Sequence, residues 1–470
     1  KGTHHVYPEN VDSRTLHLTN NDDGLKNILF DLSGRDNMII DGNGAELIMH
    51  GHVMPFFMRN ANNITIKNLT IDWEHPFFSQ GEVIEVGEDY FTVQFNEDYP
   101  ATVIDNKLVF RNPDLPEPMG FNNINFFNPK LERLVFKSWD EYLVGINHKA
   151  ELLAQNTVRI YSKDIRSPLK KGYIAVFQYE GRSSPIIAVQ GGKNIKISNL
   201  TQYHAGAIAN LFEGTTNIYI DNLKMIRRPN SGRWFTSHHD VTHFVDCRGD
   251  IHLKNSKFEF QGDDDCNIHG IYRPVQRKRN DKVIDIKLIH FQQIGVQTLF
   301  ERDVVGFYDK NTLKFLGEGK LQKVIHRTAQ VTTLYFEKKL PDLDWKNIVV
   351  ALREHDINVE ISNNHFSNHR ARGLLIKTLG KVRIHDNYFH VQGAAIKINN
   401  DASGWYEAGP VEDVEIYNNT FDQCNNGGFS TATFEISPAI NDPSSDVPIF
   451  KNVRIHNNTI VQIFKPIMIA

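Results

Sequence analysis

Apolar side chains recur in this chain at alternate positions, in short bursts that end at asparagine. The phrase reads Asn-Ile-Thr-Ile-Lys-Asn-Leu at 63–69 and Asn-Ile-Lys-Ile-Ser-Asn-Leu at 194–200. It returns as Asn-Ile-Tyr-Ile-Asp-Asn-Leu at 217–223 and Asp-Ile-His-Leu-Lys-Asn-Ser at 250–256. Later versions at 359–366, 382–389, 414–421 and 453–460 keep the pattern and usually end in Asn-Asn. Ile-x-Ile places two side chains on one face of a short strand. The asparagine that follows tolerates a left-handed turn and can stack with its equivalents in a ladder. The spacing is 222 − 199 = 23 and 387 − 364 = 23, with longer gaps where a coil carries a loop. No unit of this size buries its own apolar face, but a stack of units makes one continuous core. The pattern predicts an all-β protein, a right-handed parallel β-helix. A leucine-rich repeat would need a Leu-x-x-Leu-x-Leu frame and a helical leg, and neither is present.

Two stretches break the rhythm. In 82–165 the strand-like pieces are 82–95, 108–111, 134–137 and 157–161; in 272–353 they are 282–290, 293–300, 312–315, 330–336 and 348–352. Each alternates without the asparagine signature, which predicts a small antiparallel β-barrel inserted between coils. The expected organisation is N-terminal coils 1–81, a first barrel 82–165, central coils 166–271, a second barrel 272–353 and C-terminal coils 354–470. A loop is expected at 442–445. The second barrel follows His269-Gly270 directly, so it should wall one end of any groove there and favour exo attack.

Candidate chemistry concentrates in 235–270. Asp240 follows His238 and His239, and the triplet Asp263-Asp264-Asp265 precedes Asn267 and His269, with a short strand expected at 251–258. Since 264 − 240 = 24, the two acidic points fall on neighbouring coils, about 4.8 Å apart. Close carboxylates raise one another's pKa, and a mixture of protonated and ionised carboxyls is what glycosidic hydrolysis requires. Asp240, Asp264 and Asp265 are the expected catalytic residues. A Ca²⁺ site or a solvated turn fits the same aspartates, and His238, His239 and Asp240 could ligate a metal. His239, Asn267 and His269 are expected to bind substrate or orient a carboxylate. Arg372 and Lys377 can reach the same face, as can Trp405 and Glu435, with Trp234, Tyr406 and Glu407 as weaker candidates. Asp72 and Trp73 are expected to be structural.

Composition narrows the partners. Lys+Arg is 52 against Asp+Glu 56, for a formal net charge of −4, with no basic stripe for nucleic acid or an anionic membrane. No apolar run is long enough to span a bilayer. Three cysteines are too few for a disulfide framework. Cys247 and Cys266 could pair, or lie as buried thiols in stacked turns. The chain opens at Lys1 without a leader; the expectation is nevertheless an exported protein, periplasmic, cell-surface or secreted. The flank of a β-helix also offers surface for a homodimer.

These motifs resemble known families. The asparagine-rich coils, the lone aspartate one coil before Asp-Asp-Cys and the nearby His-Gly are similar to the polygalacturonases of glycoside hydrolase family 28. Three features depart from that family: His238-His239-Asp240 stands where Asn-Thr-Asp is expected, Leu375-Ile376-Lys377 only echoes Arg-Ile-Lys, and two inserted barrels are not expected there. A closer resemblance is to glycoside hydrolase family 110, inverting exo-α-1,3-galactosidases. It rests on His239-Asp240, on Val245-Asp246 through Gly249-Asp250, on Asp264-Asp265-Cys266-Asn267-Ile268-His269-Gly270 and on Arg370-Ala371-Arg372-Gly373-Leu374-Leu375. The resemblance implies a β-helix with two inserted barrels. It also implies hydrolysis, without a cofactor, of terminal α-1,3-linked galactose on blood-group-B or linear glycans. Carried over, Asp264 protonates the leaving oxygen while Asp240 and Asp265 hold water, with Asp263/Asp264 as the alternative register. Inversion implies an acid-to-base separation of about 6.5–9.5 Å. Rival readings are an endo-acting polyuronide hydrolase, a non-catalytic carbohydrate-binding β-helix and a Ca²⁺-dependent polysaccharide lyase.

Overall fold

The computed structural model of the chain describes residues 1–138, 141–179, 181–428, 430–443, 448–461 and 467–469. Ser444 and Ser445 of the expected loop lie outside the described residues. Two long, mainly parallel sheets face each other across one core: a 15-stranded sheet that collects the Ile-x-Ile phrases and a 12-stranded sheet formed by the returning strands. Successive coils alternate between them. Lys193–Gln202 lies in the first sheet, Asn210–Glu213 in the second, Thr216–Met225 in the first and Thr242–Val245 in the second. This is the parallel β-helix that the repeat implies.

The local reason for each coil is visible at its asparagines. Asn68, Asn199, Asn222 and Asn255 all take left-handed φ angles of 53–56°. They bend the strand where a β-branched residue could not. The expected strand at 251–258 is therefore two strands, Arg248–Lys254 and Lys257–Glu259, with the bend at Asn255 between them. Side-chain amides pass from coil to coil. Asn222 donates to Asn199 at 2.8 Å, and Asn199 to Asn68 at 3.1 Å. Where the phrase ends in Asn-Asn, the first residue bends the chain and the second turns inward. Asn364, Asn387, Asn419 and Asn458 then form a ladder with contacts of 2.9–3.0 Å. Beside it Phe366, Phe389 and Phe421 form a row with ring centroids 5.1 and 4.9 Å apart, the first pair tilted and the second stacked.

The interruptions differ in form. The first is a seven-stranded antiparallel sheet reaching from Phe78–Val86 to Ile174–Gln178, wider at both ends than 82–165. The second is a closed barrel of six strands, from Arg273–Asn280 to Ile348–Leu352. Inside it, the strand expected at 293–300 is not formed. The 3-10 turn Phe291–Gln293 leads instead into irregular chain that reaches back to the coils. The strand expected at 312–315 is a turn, and pairing starts at Phe315. Alternation alone cannot separate a barrel strand from a buried connecting loop. All three cysteines are free and buried, so Cys247 and Cys266 are packed thiols.

The inner ladder is buried, whereas the outer one is exposed. Asn387 is 3% exposed, donates to Ile361 O and His385 O at 2.9 Å each, and accepts from the Asn364 backbone at 3.0 Å. Asn387→Ala should lower unfolding stability by roughly 3 kcal/mol, because each buried group left unpaired costs about 1–3 kcal/mol. Asn222→Gly, which keeps the left-handed bend in the outer ladder, should cost under about 1 kcal/mol. Urea unfolding of the two variants checks the difference, and equal losses would contradict it.

Candidate active site

Register along the stack brings the acidic points together. Thr242 pairs with Cys266, and Cys266 with Leu374. Counting back two residues from each, Asp240, Asp264 and Arg372 occupy one position on three successive coils. The backbone confirms the column: Val241 N donates to Asp264 O at 3.0 Å, and Asp265 N to Arg372 O at 3.3 Å. A second column, one residue beyond the Thr242 row, holds His243, Asn267, Leu375 and Lys397. Both columns open into a cleft of about 740 Å³. Asn122 and Asn123 of the first inserted sheet wall one side, Phe291 and Gln292 of the second insertion another, and the Trp405–Glu407 loop closes in beside them.

Of the five carboxylates that line this cleft, Asp22 and Glu407 stand apart, and Asp240, Asp263 and Asp264 form a cluster. One oxygen of each lies within 4.8 Å of the others. Asp264 accepts from the Arg372 backbone at 2.9 Å and from its guanidinium at 2.7 Å. Asp240 meets His243 Nδ1 at 2.7 Å. Asp263 lies 3.3 Å from Arg370, 3.7 Å from His239 and 3.9 Å from Arg182. It is the most open of the three, with 16% of its side chain exposed against 7% for Asp240 and 2% for Asp264. Burial pushes Asp240 up to about 8 and Asp264 up to about 7. Against the same burial, Arg370 chiefly, with His239, Arg372 and Arg182, holds Asp263 far below the usual carboxylate range. At neutral pH the cluster therefore keeps a proton and a negative charge together.

One sequence expectation is corrected here. Asp265 does not line the cleft. It is fully buried, accepts from Gln261 at 2.6 Å and pairs with His369 at 2.9 Å. The triplet lies in a bend between two strands and does not alternate like a strand, so Asp263 and Asp264 both face the cleft while Asp265 turns inward; the triplet is read one residue earlier. The nearest oxygens of Asp240, Asp263 and Asp264 lie within 4.8 Å of one another, beside the carboxyl-to-carboxyl spacing of about 6.5–9.5 Å that inversion implies. Coils stack about 4.8 Å apart, and that rise sets the distance between carboxylates on adjacent turns.

The remaining candidates separate. His239, Asn267, Arg372 and Trp405 line the cleft, as do Lys377 and Glu407. Lys377 is ion-paired to Glu407 and lies 3.4 Å from Asn267 Oδ1. Trp405 is 46% exposed, with its ring 4.5 Å from His290, and the neighbouring Phe291 is 70% exposed. His269 stands behind the cleft, its Nε2 2.8 Å from His243 Nε2 and its Nδ1 donating to Gly270 O at 2.6 Å. Glu435 is buried and accepts at 2.6 Å from Lys397, which lines the cleft. Trp234 packs against Phe260 and Phe127 away from the site, and Tyr406 is buried. Asp72 is structural, gripped by Arg233 at 2.7 Å and Arg228 at 2.8 Å. The sequence reading missed His243, although 267 − 243 = 24 repeats the offset between Asp240 and Asp264. It also missed Asp22 and Arg182, which come from other coils with no local signal. Asp240, Asp263 and Asp264 could hold a cation, but Arg182, Arg370 and Arg372 already supply positive charge there.

The chain is similar to several known proteins. A family model described as GLAA-B beta-barrel domain I matches residues 79–174, the first inserted sheet. The chain is 30% identical over 460 residues to Alpha-1,3-galactosidase A of Shewanella woodyi, covering 97% of this chain and 75% of that protein. It is 28% identical to Alpha-1,3-galactosidase B of Bacteroides thetaiotaomicron, over 100% of this chain and 77% of the relative. For Alpha-1,3-galactosidase A of Bacteroides fragilis the identity is 26%, with coverages of 100% and 78%. Among solved structures, the A-module of Azotobacter vinelandii mannuronan C-5 epimerase AlgE4 aligns over 100% of this chain and 87% of its own, at TM-score 0.32 and 11% identity.

The buried carboxylates have a cost in stability. The folded protein holds the Asp240 proton up to a pH of about 8, whereas a free aspartate releases it near 3.8. Between those values the folded state binds more protons than the unfolded one, so stability falls as pH rises. Asp240→Asn should raise the thermal midpoint at pH 8 and lose that advantage as pH approaches 4. A variant no more stable than wild type at pH 8 would contradict this.

Proposed function

The chain belongs to the α-1,3-galactosidase family, glycoside hydrolase family 110, and from that premise we propose that it removes terminal α-1,3-linked galactose from glycans with inversion. The observation that carries this reading is the cluster Asp240–Asp263–Asp264, which holds a proton and a charge in one walled cleft. Two carboxylates in register, Asp240 and Asp264, are suited to grip one water between adjacent coils and accept its proton. Asp263, one residue out of that register and the most open to the cleft, is suited to protonate the departing glycosidic oxygen. At rest the cluster's proton sits on Asp240 or Asp264 and Asp263 is ionised, so that step requires the proton to pass to Asp263, whose neighbours' nearest oxygens lie within 4.8 Å. Arg372 fixes both oxygens of Asp264 and spreads the negative charge as the water is deprotonated.

The walls favour exo action. Side chains from both insertions and the Trp405 loop enclose the columns, leaving room for a chain end rather than a continuous polymer. Trp405 and Phe291 at the rim offer aromatic faces to the sugar beyond the scissile bond. Blood-group-B or linear α-galactosyl glycans are the proposed substrates, and such substrates favour an exported enzyme. Among the described residues no helix is long and apolar enough to cross a membrane. One observation favours a second reading. One oxygen from each carboxylate lies within 4.8 Å of the others, a close approach that suits the separation of about 5–5.5 Å in retaining enzymes more readily than the longer inverting one.

Proton NMR during hydrolysis of an α-1,3-galactobiose separates the two. Initial β-galactose is the expected product, whereas initial α-galactose would establish retention and overturn the water-gripping pair. Roles within the cluster are tested with an aryl galactoside whose leaving group needs no proton. Asp263→Asn should lose about 10²–10⁴-fold on the disaccharide and recover most of that on the aryl substrate. Asp240→Asn and Asp264→Asn should stay impaired on both. The pH profile should fall on its alkaline side near pH 7–8, where Asp264 and Asp240 release the shared proton.

A further inference from the structure

The first coils carry a second cluster of chemistry, separate from the catalytic cleft. His50 N donates to Val6 O at 2.9 Å, and Glu74 N to Met49 O at 3.0 Å. His5, His50 and Glu74 therefore stand near one end of three successive strands, Gly2–Val6, Asp36–Met49 and Asn62–Trp73. Stacking brings their side chains together as it does the catalytic aspartates. His5 Nδ1 lies 3.0 Å from His50 Nε2 and 4.0 Å from Glu74, and one donor atom from each residue lies within 4.8 Å of the others. Tetrahedral ligands about 2.0–2.1 Å from a zinc ion sit roughly 3.3 Å from one another, so the donors are close to a metal-binding arrangement already.

The shell behind them has a matching form. Asp114, delivered by the first insertion, accepts from His50 Nδ1 at 3.2 Å and from His75 Nδ1 at 2.9 Å. With its Nδ1 proton so engaged, a neutral His50 presents a bare Nε2 to His5 and Glu74. A carboxylate holding the far nitrogen of a histidine is the usual support of a metal ligand. Tyr7 stacks on the His50 ring at 4.1 Å and 13°, which fixes its plane. His5 and Glu74 are each 46% exposed, so an ion has an entry path and the more distant Glu74 can close on it.

We propose that His5 Nδ1, His50 Nε2 and the Glu74 carboxylate bind one Zn²⁺, with Asp114 supporting His50 and a water completing the tetrahedron. Binding needs the His5 proton on Nε2, a tautomer change with no redox step. The ion would clip three coils and, through Asp114, the first insertion into one unit. None of these residues lines the catalytic cleft, so the role is structural.

The test uses tag-free protein stripped with chelator and titrated with zinc alone by calorimetry, and with cobalt by visible absorption. One ion per chain, a tetrahedral cobalt spectrum and a higher thermal midpoint are expected. His5→Ala and Glu74→Gln should abolish all three, while the galactosidase rate of the metal-free protein is unchanged. Asp114→Asn should weaken binding about 10–100-fold, and His75→Ala should retain it. Absence of stoichiometric zinc binding would overturn the proposal. So would binding indifferent to His5 and Glu74, or binding abolished by His75→Ala but not by His5→Ala, which would move the ion to His75 and Asp114.

Discussion

Everything in this molecule depends on the parallel backbone ladder between coils. Its rise of about 4.8 Å converts equal positions in successive repeats into touching side chains. Where those side chains are Ile, Val and Phe the result is a continuous core; where they are Asn it is a chain of amide bonds. Where they are Asp240, Asp264 and Arg372 it is a charged column facing a cleft. One spacing thus serves cohesion and chemistry together, and the same spacing holds three carboxylates closer than they would sit in free solution.

The acidic cluster is tolerated because its surroundings divide the charge unequally. Arg370, Arg182 and His239 gather around Asp263, Arg372 around Asp264, and His243 beside Asp240. Burial acts on all three, but the cations offset it chiefly at Asp263. Behind this layer Asp265 and His369 form a fully buried pair that steadies the turn from inside. Lys377 and Glu407 form another across the cleft floor. The insertions add no carboxylate to the cluster. They turn an exposed β-helix face into a cleft with walls.

The chain's own pattern determined the architecture. Ile-x-Ile followed by Asn at a repeat near 23 residues admits stacked parallel coils, because only stacking buries that face, and the offset of 24 puts Asp240 opposite Asp264 before any coordinate is known. The two interruptions were legible as losses of the asparagine phrase. Which residue of Asp263-Asp264-Asp265 turns inward was not, since the triplet lies in a bend that does not alternate like a strand and the chain alone does not label its faces; only the packing of Asp265 against Gln261 and His369 does. Nor could local pattern find Arg182 or Asp22, for these meet through coils far apart in sequence. Sequence periodicity decided what stacks on what, and tertiary structure decided which side faces the cleft, because facing is a property of the packed neighbours and not of the strand.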